Sequence, residues 1–259
     1  MNRNLKFAIA AAIASLGVTG QAHALTASTS TTSGSLFLYA FEDRVGTGSN
    51  SAATNSAIFD LGLASAFDTT KSQAFDFSAN SAWTSYIATI ANPANIHWGV
   101  FGSAYGNGGT GTQMMTTMSV VPASVNGSAL NVAVTHYNAE ISQVYGSACS
   151  TCGFSSVTTN DLATTYWDDN ASQTALGTLT TGLGSNLDFF KYTSTGSKAA
   201  NLASKTAYAT GGAPNYFTLS NTGVLTYTAA APVPEADSYA MMLAGLGLVG
   251  YMVRRRKAA

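Results

Sequence analysis

Cys149 and Cys152 are the residues whose type and spacing most directly suggest chemistry, because they form a C-x-x-C pair. Two cysteines in an exported chain most often form a disulfide, and this spacing would close a small loop. A redox pair would need a helix start that lowers a thiolate pKa, and no thioredoxin-like βαβ pattern surrounds the pair. A zinc site would need two further ligands, and between the two tails only His97 and His136 could supply histidine ligands. We therefore predict a structural disulfide, with redox and metal-binding roles as alternatives.

The other groupings of reactive side chains are weak candidates. His136 and Glu140 lie four residues apart and would share one face of a helix, but the zinc-protease pattern H-E-x-x-H is absent. Residues 168–170 (Asp-Asp-Asn) follow Tyr166 and Trp167 and could bind calcium or a sugar. Here the EF-hand spacing is missing, and a helix-capping turn is the simpler interpretation. Since no G-x-S-x-G elbow or phosphate-binding loop occurs either, we expect no catalytic residues, metal or cofactor and predict that the protein is not an enzyme.

The charge of the chain argues against one class of partner. Charged residues make up 9% of the 259 residues, and the formal net charge is −1, whereas soluble domains usually carry about 25% charged residues. A nucleic-acid-binding protein needs a basic face that displaces counterions, so we expect no nucleic-acid partner. Hydrophobic residues, at 46%, suffice for a core. The polar surface must then consist largely of neutral side chains, chiefly Ser and Thr, which suits an extracellular protein.

The N-terminus has the three regions of a secretory signal peptide. Two cations precede the apolar run Phe7–Val18, and the small residues Ala22 and Ala24 form an A-x-A-type cleavage site. We predict that signal peptidase removes residues 1–24, so that the mature protein begins at Leu25. A membrane anchor is the alternative, but the apolar run is short and ends in small residues at a cleavage site.

The C-terminus carries a second address, built from three elements in order. A Val-Pro-Glu tripeptide precedes the apolar run 239–253, and a basic cluster follows that run. A helix of this run would be about 23 Å long, short of a hydrocarbon core of ~30 Å, and the basic cluster would stay on the cytoplasmic side. We predict a transmembrane helix that holds an outward-facing precursor in the inner membrane, with a permanent anchor as the alternative. The residues expected to carry the signal are Val233, Pro234, Glu235, Arg254, Arg255 and Arg256.

This arrangement resembles the PEP-CTERM sorting signal over residues 233–257. In that family an exosortase, an integral-membrane processing enzyme, recognises the tripeptide and removes the anchor near the Pro-Glu. The resemblance implies that Val233, Pro234 and Glu235 are the recognition element, and that the host is a Gram-negative bacterium that makes extracellular polysaccharide. Ala236 stands where the family often has a second proline. The family shares its tail and not its body, so the resemblance implies nothing about the fold of the rest.

Between the two tails the sequence predicts a mainly β domain. Apolar runs and alternating patterns predict strands at residues 35–41, 57–63, 73–77, 96–103 and 187–193. The clearest local pattern is 215–228, where two strand-like runs flank Asn-Thr-Gly, a hairpin loop with a glycine for positive φ. Residues 81–91 have helical spacing, and residues 128–145 fit either a helix or strands. We therefore expect a single antiparallel β-sandwich-like domain with a few short helices.

The predicted organisation is a signal peptide (1–24), a Ser/Thr-rich leader (25–33), a β-rich extracellular domain (34–228), a linker (229–232) and the sorting signal (233–257). From it we predict an exported protein, processed by an exosortase-like enzyme, that is structural or adhesive at the cell surface or in the extracellular polysaccharide matrix of a biofilm. The alternative is a secreted carbohydrate-binding module or glycan-active enzyme. In that case exposed aromatic residues such as Trp98 or Trp167 would stack on sugars.

Overall fold

An antiparallel sheet of eleven strands is the largest element in the described part of the chain. The structure, a computed structural model, describes residues 25, 27–28, 32–42, 56–90, 92–105, 111–145, 155–158, 178–210, 212–230 and 241–246. In chain order the strands are β1 (Ser35–Glu42), β2 (Ser56–Leu63), β3 (Gln73–Asp76), β4 (Ile96–Tyr105), β5 (Gln113–Met118), β6 (Ser155–Thr158), β7 (Thr181–Gly182), β8 (Asn186–Thr193), β9 (Ser204–Ala207), β10 (Ala209–Thr210), β11 (Ala213–Pro214), β12 (Tyr216–Leu219) and β13 (Val224–Thr228). Two α-helices, α1 (Ser81–Thr89) and α2 (Gly127–Tyr145), and two short 3-10 helices, Ala64–Ala66 and Pro93–Asn95, complete these elements.

The order of strands in the sheet is β3-β13-β12-β8-β5-β4-β1-β2-β6, with β7 paired to β4 and β9 paired to β8. Strands β10 and β11 form a separate two-stranded hairpin. Strand β8 joins the two halves of the sheet, because it pairs with β5 along one edge and with β12 and β9 along the other.

Strand β1 is third from the β6 end of the sheet and is buried on both faces. It pairs with β2 on one side and with β4 on the other. Alternate residues of a strand point to opposite faces. The two sets therefore enter different apolar clusters: Phe37, Tyr39 and Phe41 on one face, and Leu36, Leu38 and Ala40 on the other.

The sheet curls until its two ends approach each other, which makes it nearly barrel-shaped. Phe59 of β2, near one end, has its ring centroid 4.6 Å from that of Phe77, which directly follows β3 at the other end. Helix α1 lies at this seam, and the ring centroid of its Trp83 is 6.0 Å from that of Phe59. The side-chain oxygen of Asn80 caps the helix by accepting a hydrogen bond from the backbone N–H of Ala82 at 2.9 Å. The inner face of the curled sheet thus becomes a closed apolar core.

Helix α2 covers the outer face at the middle of the sheet. It begins after Asn126, whose side-chain oxygen accepts a hydrogen bond from the backbone N–H of Ala129 at 2.8 Å. Leu130, Ala133 and Val134 have the spacing of one helix face and are buried in the outer-face cluster. The middle of the sheet is therefore covered on both faces, and its strands are buried on both.

The hairpin of β12 and β13 forms as its sequence predicts. The strands pair from Tyr216 with Thr228 to Leu219 with Leu225. Gly223 in the turn has a φ of +87°, a value that side chains rarely adopt. A Cβ at this position would also collide with the Trp83 indole, so both the turn and the seam require glycine here.

Most elements expected from the sequence are confirmed, but the sandwich is not. The antiparallel, mainly β character is confirmed, as are the strands at the five predicted sites and the helix at 81–89. Residues 127–145, for which strands were an alternative, are helical. Instead of two stacked sheets, one sheet runs from β3 to β6. The physical reason is the continuous pairing through β8, which leaves no break at which the sheet could divide in two.

The tails lie largely outside the described residues. Residues 1–24, the predicted signal peptide, are not among them. Of the predicted transmembrane helix 239–253, the structure describes 241–246, which are helical and expose Met241, Met242 and Leu243. Within the described ranges, no helix is both long and apolar enough to cross a membrane. The spanning helix stays a prediction.

Candidate functional site

The segment of interest is the point at which the chain leaves the sheet toward the predicted sorting signal. Strand β13 ends at Thr228, where ladder pairing with Tyr216 stops. The next two residues are nevertheless held by side chains. The backbone N–H of Ala229 donates to Ser72 Oγ at 3.1 Å, and the N–H of Ala230 donates to Asn215 Oδ1 at 3.0 Å. Ala229 also packs against the inner-face core. The fixed part of the chain therefore extends beyond the last strand.

Asn215 joins three segments at this exit. It is 1% exposed, and an amide side chain that is buried must find partners for both its oxygen and its N–H groups. Its Nδ2 donates to the carbonyl of Thr69 and to the hydroxyl of Tyr227, both at 3.0 Å. Its backbone N–H donates to the carbonyl of Tyr208 at 2.8 Å. Asn215 is thus fixed from several directions before it binds Ala230.

A tight turn presents the carbonyl of Thr69 to these donors. Asp68 Oδ1 accepts hydrogen bonds from the backbone N–H and the hydroxyl of Thr70, at 3.0 and 2.6 Å. Asp68 Oδ2 also lies 3.2 Å from Lys71 Nζ. Hydrogen bonds from Thr70, followed by that from Lys71, hold the pKa of the exposed Asp68 carboxyl below its usual value. The Asp68 carboxylate therefore stays ionised at neutral pH. Its hydrogen bonds to Thr70 stabilise the turn that presents the Thr69 carbonyl.

Tyr227 closes the arrangement from the inner core. Its hydroxyl donates to the Thr69 carbonyl at 2.9 Å, and its ring packs against Phe67 and Phe217 at centroid distances of 5.0 and 4.8 Å. Burial raises the pKa of Tyr227 to about 12, although the hydrogen bond from Asn215 acts in the opposite direction. Tyr227 is therefore a neutral donor at physiological pH.

We call the four residues Thr69, Ser72, Asn215 and Tyr227 the exit clamp. They supply hydrogen-bond partners and an aromatic wall, and the arrangement is suited to holding a peptide chain rather than to acid–base or nucleophilic chemistry. Sequence reasoning missed the exit clamp, because Asn215 and Ser72 lie far apart along the chain from each other and appear as ordinary turn residues. The only local signal was the position of Asn215 as the first residue of the predicted hairpin.

The residues predicted from the sequence to carry the sorting signal lie outside the described residues. This applies to the tripeptide, to the basic cluster and to the alanines of the signal-peptide cleavage site: Val233, Pro234, Glu235, Arg254, Arg255, Arg256, Ala22 and Ala24. Cys149 and Cys152 also lie outside, so the predicted disulfide stays a prediction. His136 and Glu140 lie in α2. Within the described ranges, no group of three His, Cys, Asp or Glu residues could hold a metal ion.

Leu25, the predicted first residue of the mature chain, is 6% exposed and belongs to the outer-face cluster. The leader is tied to α2 close by, since Asn138 Oδ1 accepts a hydrogen bond from the backbone N–H of Ser28 at 2.9 Å, and Asn138 Nδ2 donates to the Ser28 carbonyl at 3.2 Å. The start of the predicted mature protein is therefore packed against the domain, as its exit is.

Two of the three tryptophans are core residues. Trp98 is fully buried, and its Nε1 donates to the carbonyl of Gly182 at 3.0 Å. Trp83 is 3% exposed. Trp167 lies outside the described residues. The idea that Trp98 stacks on a sugar is therefore wrong, because its ring faces the inner core.

Residues 232–257 match the family described as the PEP-CTERM protein-sorting motif. The match begins two residues after Ala230, which is the last residue of the described range 212–230 and is held by the exit clamp. No curated protein and no solved structure matches the chain.

Proposed function

We propose that this chain, which carries a PEP-CTERM protein-sorting motif, is a structural or adhesive protein of the cell surface or of the extracellular polysaccharide matrix. The motif implies an exported protein with a membrane-anchored precursor, and exosortase as its processing partner. Signal peptidase would act at the other end, before Leu25. We further propose that the domain has no catalytic activity of its own and that the host is a Gram-negative bacterium that forms biofilms.

The sorting motif at residues 232–257 is the observation that carries this proposal. It directs the protein to the outside of the cell, and the composition agrees with that destination, since only 9% of the residues are charged. Hydroxyl-rich, weakly charged surfaces can lie against neutral polysaccharides without the counterion cost that charged partners bring. A β domain with a core filled by aromatic side chains is a suitable unit for such a matrix.

Replacing Pro234 and Glu235 together by alanine is expected to abolish processing in the native host. The enzyme reads this tripeptide in the family, so the variant should keep its C-terminal tail and stay in the membrane fraction. Intact mass spectrometry of the protein from membranes and medium measures this. The wild-type protein from the medium should have the mass of a chain that begins at Leu25 and ends near Pro234.

The matched control is Pro122→Ala combined with Asp76→Ala, which changes a half-buried proline and an exposed acidic residue in the body of the protein. The control should be released as the wild type is. A released Pro234→Ala/Glu235→Ala protein with the wild-type mass would contradict the proposed processing. A wild-type protein that keeps residues 239–253 would show a permanent anchor instead.

A second candidate function is binding of a glycan on the outer face of the β12–β13 hairpin. The observation that favours it is a row of partly exposed polar side chains with one aromatic ring: Tyr216, Thr218, Thr226 and Thr228. Thr218 Oγ1 already donates to Asn186 Oδ1 at 2.7 Å, so the row is ordered. Sugar sites combine such hydroxyl and amide groups with an aromatic face.

Replacing Tyr216 by alanine is expected to weaken any glycan binding by up to about tenfold, because a stacked ring contributes about 0.5–1.5 kcal/mol. Binding of the purified protein to a broad glycan array measures this, with affinities from titration on the best glycan. Thr206→Ala, an exposed change on β9, is the control and should have no effect. No binding on the array, or equal binding by the Tyr216 variant, would count against this candidate.

A further inference from the structure

We propose that the exit clamp sets how far the sorting motif can reach from the folded domain, and so positions the motif for the processing enzyme. The proposal rests on the processing proposed above. Its structural basis is that Ala229 and Ala230 are held by Ser72 and Asn215. In the sequence, only Ala231 and Pro232 separate this fixed point from Val233.

Covalent geometry then limits the distance between domain and motif. An extended chain spans at most ~3.6 Å per residue, so Val233 lies within about 11 Å of Ala230. By the same measure, the predicted membrane segment starts within about 32 Å of Ala230. The enzyme must bind the tripeptide in this gap, between a folded body and the membrane surface.

The exit clamp therefore determines the length of the tether, by which we mean the residues between the last held residue, Ala230, and Val233. When a tether is too short to span two sites, the effective concentration of one at the other falls to near zero. If the exit clamp were opened, Ala229 and Ala230 would no longer be held, and the longest distance that the chain allows between the domain and Val233 would grow by about 7 Å. Ser72 and Asn215 thus act as positioning residues, because they influence the cleavage without touching the peptide bond that is cut.

The test shortens the tether in the full chain, expressed in the native host. Deleting Ala231 and Pro232 leaves the Val-Pro-Glu tripeptide intact but brings it directly after Ala230. We expect the initial rate of processing, followed by pulse-chase and intact mass, to fall at least about tenfold, because the enzyme can no longer reach the tripeptide. The length control replaces the same two residues by Gly and Ser, and its rate should stay within about twofold of the wild type.

A second pair of changes opens the exit clamp. Ser72→Ala removes the hydroxyl that accepts a hydrogen bond from the Ala229 N–H. Ala230→Pro removes the N–H that donates a hydrogen bond to Asn215 Oδ1. Asn215→Ala is avoided, because it would also strip Thr69 and Tyr227 of a buried partner and could unfold the domain. Added to the deletion, the two changes should restore processing to within about threefold of the wild type, since two residues are returned to the tether. Thermal unfolding of each purified protein checks that the domain is folded.

Three results would overturn the proposal: wild-type processing of the deletion variant, equal impairment of the Gly-Ser length control, or failure of the opened exit clamp to restore processing in a folded deletion variant. The Pro234→Ala/Glu235→Ala variant, measured in parallel, separates these results from failure of the proposed function. If that variant is processed like the wild type, the enzyme does not read the tripeptide at all. If processing of that variant is blocked while the deletion variant, the Gly-Ser length control and the opened-clamp variant are all processed at the same rate, only the role of the exit clamp is wrong.

Discussion

Replacing Trp98 by alanine is expected to lower the free energy of unfolding by about 3–5 kcal/mol, the usual cost of removing a large aromatic side chain from a packed core. Trp98 is fully buried in the inner-face cluster, and the change also removes the shorter of two hydrogen bonds to the Gly182 carbonyl, leaving the one from the Ser185 N–H at 3.3 Å. Since small domains are stable by about 5–15 kcal/mol, this is a large fraction of the total. Urea unfolding followed by tryptophan fluorescence and circular dichroism measures it.

The matched control is Tyr216→Ala, which truncates an aromatic side chain on the outer face and should cost less than about 1 kcal/mol. Measuring both stability and glycan binding of the two variants also distinguishes a residue that stabilises the core from one that binds a ligand. If Trp98→Ala kept wild-type stability but lost binding to a glycan, Trp98 would be a ligand-binding residue and not a residue of the core. Loss of stability in Trp98→Ala, with binding lost only in Tyr216→Ala, is the expected pair of results.

The parts of the fold that the sequence could predict are those with local patterns. Strand β1 is apolar from Leu36 to Phe41 because both of its faces are covered, and the β12–β13 hairpin has a glycine where its turn requires positive φ. Strand β5 has no such pattern. Its sequence, QMMTTM, contains two buried threonines, and Thr117 is satisfied by the Leu179 carbonyl at 3.0 Å and by the N–H of Val100 at 2.9 Å. Such partners come from distant segments, so the strand could not be recognised locally.

The contrast between local patterns and distant partners also explains which parts of the candidate site could be predicted from the sequence. The sorting motif was predicted because all its elements follow one another within 25 residues, and the family match confirms it. The exit clamp was not predicted, because Ser72 and Ala229 are 157 positions apart. The single curled sheet was missed for a related reason: whether strands continue one sheet or form two depends on the pairing of β8 with β12, which no local pattern encodes.

The start of helix α2 gives a second large expected effect. Gly127 is the first residue of α2, and its N–H donates to the Asn201 carbonyl at 2.7 Å. A Cβ on Gly127 would collide with the Gly196 carbonyl oxygen. Backbone lies on both sides of this contact, so neither partner can rotate away as a side chain would. We expect Gly127→Ala to lower the free energy of unfolding by about 3 kcal/mol, at the upper end of the usual cost of overpacking.

The cost should arise at the outer face of the sheet, because moving α2 away from the loop also lifts Leu130 and Val134 from the outer-face cluster. Gly182→Ala is the control, since a Cβ there would meet its nearest neighbour, the Ile96 carbonyl oxygen, at an ordinary 4.0 Å. It should change stability by less than about 0.5 kcal/mol. Chemical unfolding of both variants measures the difference, and hydrogen exchange of the α2 amides shows where it arises. Equal stability of the two variants would mean that α2 does not dock on the loop of residues 194–203. The outer face would then need another cover.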